Sequence, residues 1–174
     1  MVGGGELEEK LRAMVQRYGL ADKVAFHGFQ PPKVVRRFME EADIFLFTSD
    51  YLEGWGAVLN ESMNSACAVI AGHGIGAVPF LLKHGKNGLV YQTGHFGEFR
   101  RLVWQLCKDK DLQKRLGANA YQTIVCEWNP EEAAKRLYAF SEGLLKGKMV
   151  IQQQGPLSKA PVIAPWQGYQ YVRK

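Results

Sequence analysis

Short apolar runs alternate with helically spaced ones along most of this chain. Lys23 to Phe26, Asp43 to Thr48, Ala68 to Ala71 and Gly88 to Tyr91 are brief, rich in β-formers and bounded by turn residues, the pattern of buried strands. Between them, Glu6 to Tyr18 places Leu7, Leu11, Met14 and Val15 at helical spacing and ends at Gly19. Pro32 to Ala42 repeats the logic, with Pro32 suited to a first helical turn and Val34, Val35, Phe38 and Met39 apolar. Gly56 to Ala66 and Gly76 to His84 extend the series. Strand followed by helix, repeatedly, predicts an α/β fold: a Rossmann-like parallel sheet with helices on both faces.

From Phe96 the strands stop. Phe96 to Lys108 and Asp111 to Glu127 predict helices, and a third starts at Asn129-Pro130 and runs to about Leu145. Asn129 suits an N-cap, Pro130 the first helical position, and Glu131 and Glu132 the positive end of the helix dipole. After Gly147 periodicity is lost, so residues 1–147 read as one domain and 148–174 as a basic, Pro-containing tail. Met1-Val2 before Gly3-Gly4-Gly5 reads as the end of a strand turning into a helix, as though the domain's first strand were missing.

Composition changes this picture little. At 174 residues, 47% hydrophobic and 22% charged, the chain suits a single globular domain. No apolar stretch approaches the ~20 residues that span a bilayer, and MVGGGELEEK lacks the pattern of a signal peptide. Three cysteines, Cys67, Cys107 and Cys126, with no CxxC pair, speak against a disulfide framework or structural zinc and for a reducing cytoplasm. The net charge of +5 is carried by Lys146, Lys148, Lys159, Arg173 and Lys174, after the last acidic residue, Glu142. With no basic stripe through the body, no nucleic-acid partner is expected. The basic tail with Trp166, Tyr169 and Tyr171 would suit an anionic membrane face, and a solvated tail explains it equally well.

The chemistry concentrates in LEGWGAVLNE, residues 52–61. The strand ending DIFLFTS delivers the chain to the carboxyl edge of the sheet, where such folds bind ligands. Free amides at the start of the helix near Gly56 form a site for a phosphate or diphosphate, and Gly54 and Gly56 let the backbone come close. Glu53 before the helix and Glu61 within it serve a phosphate poorly but sugar hydroxyls well, as charged acceptors. Two carboxylates around a diphosphate cradle suit a sugar nucleotide. Either Glu alone reads as an ordinary solvated side chain.

EGWGAVLNESMNSACAVIA resembles the E-G-F-G-x-x-x-x-E-A-M-A-x-G-x-P-V-V-A signature of the group 1 retaining glycosyltransferases, which have two Rossmann domains (the GT-B fold). VGGGELEEKL, VAFHGF, EEADIFLFTS and GKNGLVY are similar to four further segments of that family in the same order. The resemblance covers residues 1 to about 145 and implies the C-terminal, donor-binding domain. It implies that Glu61 holds the nucleotide ribose, that Glu53 contacts the transferred sugar or supports its chemistry, and that the amides of Gly54, Trp55 and Gly56 face the sugar and diphosphate. Phe29 and Gln30 would border the base.

Departures go with it. The family's phosphate-clamping Arg and Lys would stand on the first strand and the loop after it, outside this chain; Lys33, Arg36 and Arg37 read as surface charges. Phe80 follows Pro79 where the family has a Glu. Asp109-Lys110-Asp111 spells a metal motif of another glycosyltransferase fold, but its place between helices reads as an N-cap. No metal or other cofactor is expected. His73 reads as a structural loop residue and Cys67 as packing.

The resemblance implies a hexosyltransferase-type enzyme of glycan biosynthesis. It would move sugar from a nucleotide-diphosphate donor, with retention, to a glycan or lipid-linked acceptor held by an N-terminal domain, in the cytoplasm or at the inner membrane face. The isolated chain would be inactive. A non-catalytic sugar-nucleotide-binding module or accessory subunit is the alternative, and an epimerase fits the motif spacing less well. A strand gap would leave sheet edges to be covered by the tail, by a homodimer partner or by the rest of a longer enzyme.

Overall fold

In the computed structural model, residues 1–148 and 151–160 are described. The chain forms two compact units, Met1–Phe38 and Met39–Lys174.

In the first unit, α1 (Glu8–Arg17) ends where Gly19 turns with φ +63°, its amide donating to the Gln16 carbonyl. Leu11 and Val15 of its apolar stripe are half-buried, while Leu7 and Met14 are exposed. Lys23 to Phe26, expected as a strand, is not one. The Met1 amino group donates to the Ala25 carbonyl and the His27 amide to the Met1 carbonyl, a parallel rung around Phe26. Gly3, at φ +100°, then bridges to Gly28 and leads away toward α1, so no repeating ladder develops. α2 (Pro32–Glu41) follows, its last residues belonging to the second unit.

The second unit holds a parallel sheet in the order β1 (Ile44–Phe47), β2 (Ala68–Gly72), β3 (Leu89–Tyr91). Ile44 pairs with Ala68, and Ile70 with Leu89. All five residues of central β2 are buried, which explains their unbroken apolar run. Ala68 and Ile70 join Leu89, Tyr91, Leu102, Leu106 and Leu116 in one core cluster, while Val69 and Ala71 point to the opposite face. The cluster draws on α5 (Phe96–Lys108) and α6 (Lys110–Cys126). A Cβ on Gly117 of α6 would lie 2.1 Å from the Ala66 carbonyl, so only glycine permits this approach.

Two helices are shorter than the sequence pattern suggests. α3 (Ala57–Asn64) begins after Gly56, which is left-handed at φ +81°, and Ala66 is left-handed at φ +58°. α4 spans only Val78–Leu81. Leu82 turns extended, and the buried Asn87 amide holds the turn that follows, accepting from the Lys83 amide and donating to Leu81 O and Thr123 Oγ1. The late helices match expectation closely. Asp109 and Asn129 cap α6 and α7 (Pro130–Leu145), accepting from Leu112 N and Glu132 N, each at 2.8 Å. Part of the expected tail is packed: Arg136 of α7 donates to the Gln154 carbonyl, and Gly155 and Pro156 are buried. The expectations for Trp166, Tyr169, Tyr171, Arg173 and Lys174 lie outside the described residues.

Candidate functional site

β1 ends at Phe47 and hands the chain to the loop 48–56, at the carboxyl edge of the sheet. Asp50 shapes its start, with Oδ1 accepting from Leu52 N at 2.9 Å and its carbonyl from Glu53 N. The following loop, 73–77, anchors it: the Gly76 amide donates to Glu53 O at 3.3 Å and the Ala77 amide to Trp55 O at 2.9 Å. The Glu53 and Trp55 carbonyls are thereby consumed, while the amides from Gly54 onward are not. Among the described residues, the N–H groups of Gly54, Trp55, Gly56, Ala57 and Val58 have no backbone acceptor. The first helical bond is Leu59 N to Gly56 O at 2.9 Å. Five consecutive donors at a helix N-terminus suit an anion.

The glycines divide by cause. Gly56 is demanded by its positive φ and by Phe47, whose ring would lie 2.7 Å from an added Cβ. Gly54 has no such demand: its φ is ordinary and a Cβ there would meet nothing within 4 Å. The protein's own packing does not require that glycine, and a ligand approaching the loop would.

Of the two carboxylates, Glu53 is partly buried and Glu61 exposed. Leu59, Ser62 and Met63 face the core, which leaves Ala57 and Glu61, one turn apart, on the open stripe of α3. Helical side chains lean toward the N-terminus, so the Glu61 carboxylate leans back toward the free amides.

The Trp55 side chain is committed elsewhere. Its indole Nε1 donates to Asn60 Oδ1 at 2.9 Å, and its ring packs against Phe80 at 5.6 Å and Trp128 at 5.8 Å. Phe80, standing where a Glu was expected, thus completes an aromatic trio with Trp128 at 6.0 Å.

A second support joins the loops. His73 Nδ1 accepts from the Thr93 amide at 2.9 Å, which places the ring proton on Nε2, 2.7 Å from the Tyr51 hydroxyl. Thr93 Oγ1 accepts from the Gly74 amide at 3.0 Å, and Gly74 lies flat on the Tyr51 ring, where a Cβ would come within 2.8 Å. His73 is therefore structural, as its loop position suggests, and Tyr51 and Thr93 are its partners. The sequence carries no signal for this trio, because its members are separated by about twenty residues each way.

Phe29 and Gln30 belong to the first unit. Phe29 is 84% exposed, and Gln30 Nε2 donates to the His27 carbonyl at 2.6 Å. Lys33, Arg36 and Arg37 are exposed on α2. Cys67 is fully buried, its thiol donating to Met39 O at 3.0 Å, and burial pushes its pKa up to about 11. Among the described residues, no cluster of three or more His, Cys, Asp or Glu could hold a metal ion.

The family described as glycosyl transferases group 1 matches residues 1–123. The chain belongs to that family. Among its relatives is the lipopolysaccharide core biosynthesis glycosyltransferase LpsE of Rhizobium meliloti, 28% identical over 131 residues, covering 75% of this chain and 37% of the relative. Another is the GDP-mannose-dependent α-(1-6)-phosphatidylinositol monomannoside mannosyltransferase of Mycobacterium tuberculosis, 30% identical over 149 residues, covering 82% and 38% respectively. The chain therefore spans less than two fifths of the length of these relatives. Among solved structures, the C-terminal domain of a group 1 glycosyl transferase (LpcC) from Francisella tularensis superposes with TM-score 0.63 at 26% identity, covering 69% of this chain and 61% of that one. Anabaena Alr3699/HepE, solved in complex with UDP, has the same fold, with TM-score 0.62 at 24% identity, covering 75% and 36%. The architecture is that of a Rossmann-like C-terminal domain of a GT-B glycosyltransferase.

Proposed function

We propose that this chain is the donor-binding half of a retaining glycosyltransferase of the hexosyl type, which takes sugar from a nucleotide-diphosphate donor and passes it to a glycan or lipid-linked acceptor. The observation that carries the reading is the run of amides from Gly54 to Val58 with no backbone acceptor, with Glu61 exposed one turn into the helix they open. The amides would take the donor's diphosphate and stabilise the charge that grows on it as the glycosidic bond breaks. Glu61 would accept from the ribose hydroxyls, and Glu53 would face the transferred sugar.

The bound partner of the Anabaena structure is UDP, which supports a nucleotide donor here. No metal enters this reading, since backbone amides supply the charge complement. The acceptor would be held by a second domain, and a cytoplasmic place at the inner membrane face would suit a lipid-linked acceptor. Among the described residues, no helix is long and apolar enough to cross a membrane.

The test uses the product of the complete gene beside the 174-residue chain, each incubated with UDP-, GDP- and ADP-sugars and a panel of glycan and lipid-linked acceptors. Transfer with retained anomeric configuration by the complete product, absent from the chain alone and lost in Glu53→Gln, is the expected result. Transfer with inversion, or robust transfer by the chain alone, would contradict it.

A further inference from the structure

α5 presents two unlike faces. Leu102 and Leu106 are buried in the core cluster, with Phe99 and Val103 packed against it and the Phe99 ring 5.0 Å from Tyr91. The outward stripe, stepping four residues at a time, is Phe96, Arg100, Trp104, Lys108. Solvent-facing helix positions ordinarily carry polar side chains, yet Phe96 is 76% and Trp104 66% exposed. Singly exposed aromatics are common. Two of them on one stripe, alternating with cations, are less so.

The charge around the stripe is one-sided. From Phe99 to Lys108 the helix carries Arg100, Arg101 and Lys108 and no acidic residue. Glu98 lies at its start, where it accepts from the Gln92 amide and stands 3.9 Å from Arg101 and 3.8 Å from His95. Asp109 and Asp111 lie beyond its end, Asp109 capping α6. The Lys108 ammonium rests over the Trp104 ring, 4.8 Å from its centre. A shallow groove, lined by Gly97, Arg100, Arg101 and Trp104, opens beside the indole, and Gly97 contributes no side chain to fill it.

We infer that this face of α5 docks on an anionic lipid bilayer. Trp and Phe are the side chains that settle at the level of lipid headgroups, and Arg and Lys beside them reach the phosphates. The guanidinium groups at the groove suit a headgroup phosphate by forked hydrogen bonding. The helix, about 20 Å long, would lie flat in the interface without entering the hydrocarbon. An acidic protein would match the charge as well, but the face offers a continuous aromatic and cationic stripe with only a shallow groove between its side chains, which suits a fluid surface better than a partner side chain seated in a pocket. This docking is independent of the donor site and uses other residues.

The experiment is vesicle flotation of the full chain with phosphatidylcholine alone and with equal parts phosphatidylcholine and phosphatidylglycerol. The anionic vesicles should recruit the protein, more weakly as salt rises, and the neutral ones should not. Removing both guanidinium groups in R100A/R101A should weaken recruitment about thirty-fold, at ~1 kcal/mol per cation. W104S should weaken it as well, and acyl-chain bromination should quench wild-type fluorescence more than that of W104F. All three variants change exposed side chains and should keep the native circular dichroism spectrum. Three outcomes would overturn the inference: no recruitment to anionic vesicles, recruitment left unchanged by R100A/R101A and W104S, or α5-dependent capture of an acidic protein without vesicle binding.

Discussion

Gly76 and Gly54 meet backbone to backbone: a Cβ on Gly76 would stand 1.6 Å from the Gly54 carbonyl oxygen, while the Gly76 amide donates to the neighbouring Glu53 carbonyl. The loop that offers free amides is thus held from behind by a residue that only glycine can be. Gly76→Ala must push the two loops apart. It should destabilise the protein by about 1–3 kcal/mol, as overpacking does, and abolish whatever the amides bind. Urea unfolding with a parallel nucleotide titration would check it; normal stability together with normal binding would contradict the fit.

Thr93 supports the same loops from the other side. In Thr93→Val the Gly74 amide loses its acceptor while the site stays buried. A loss of about 1–3 kcal/mol is expected for an unsatisfied buried donor. Tyr51→Phe, which removes only the hydroxyl facing His73, should cost about 1 kcal/mol or less. Chemical denaturation of both variants would test that ranking.

Glu61 is exposed, so Glu61→Gln should leave stability within about 0.5 kcal/mol of wild type. If it accepts from ribose hydroxyls, the loss of charge should weaken nucleoside diphosphates about tenfold or more. Inorganic pyrophosphate, lacking ribose, should bind the variant and the wild type alike. Calorimetric titration with both ligands makes the comparison.

Cys67 gives a pH signature. Its thiol is buried and its pKa raised to about 11 from 9.0. The folded state therefore holds a proton that the unfolded state releases, so this contribution is intact below pH 9 and is lost as pH rises from 9 toward 11. Stability should fall over that window, less steeply in Cys67→Ala. At neutral pH a thiol reagent should label exposed Cys107 and Cys126 and spare Cys67 until the protein unfolds.

How much of this could be read from residues alone depended on the range of the interaction. α5 and α7 lie where the pattern puts them and α6 within a residue, because periodicity and the caps at Asp109 and Asn129 are local. The Lys23 to Phe26 strand failed because pairing is a property of two segments, and its partner supplies one rung before Gly3 turns away. α4 shrank because the Asn87 side chain claims the turn after it while also bonding Thr123 of α6, a contact distant in sequence. Around the candidate site, the helix start just after Gly56, with Glu53 before it and Glu61 within it, was legible from spacing. The Trp55–Phe80–Trp128 packing and the Tyr51–His73–Thr93 trio were not, since each joins separate loops through side chains.

The central claim, a diphosphate cradle at the start of α3, is tested most directly by amide NMR of the chain titrated with UDP, GDP and ADP to millimolar concentration. The account predicts saturable shifts concentrated on the amides of residues 53–58 and on Glu61. Absence of shifts in residues 53–61 with all three nucleotides, or shifts confined to other segments, would contradict it.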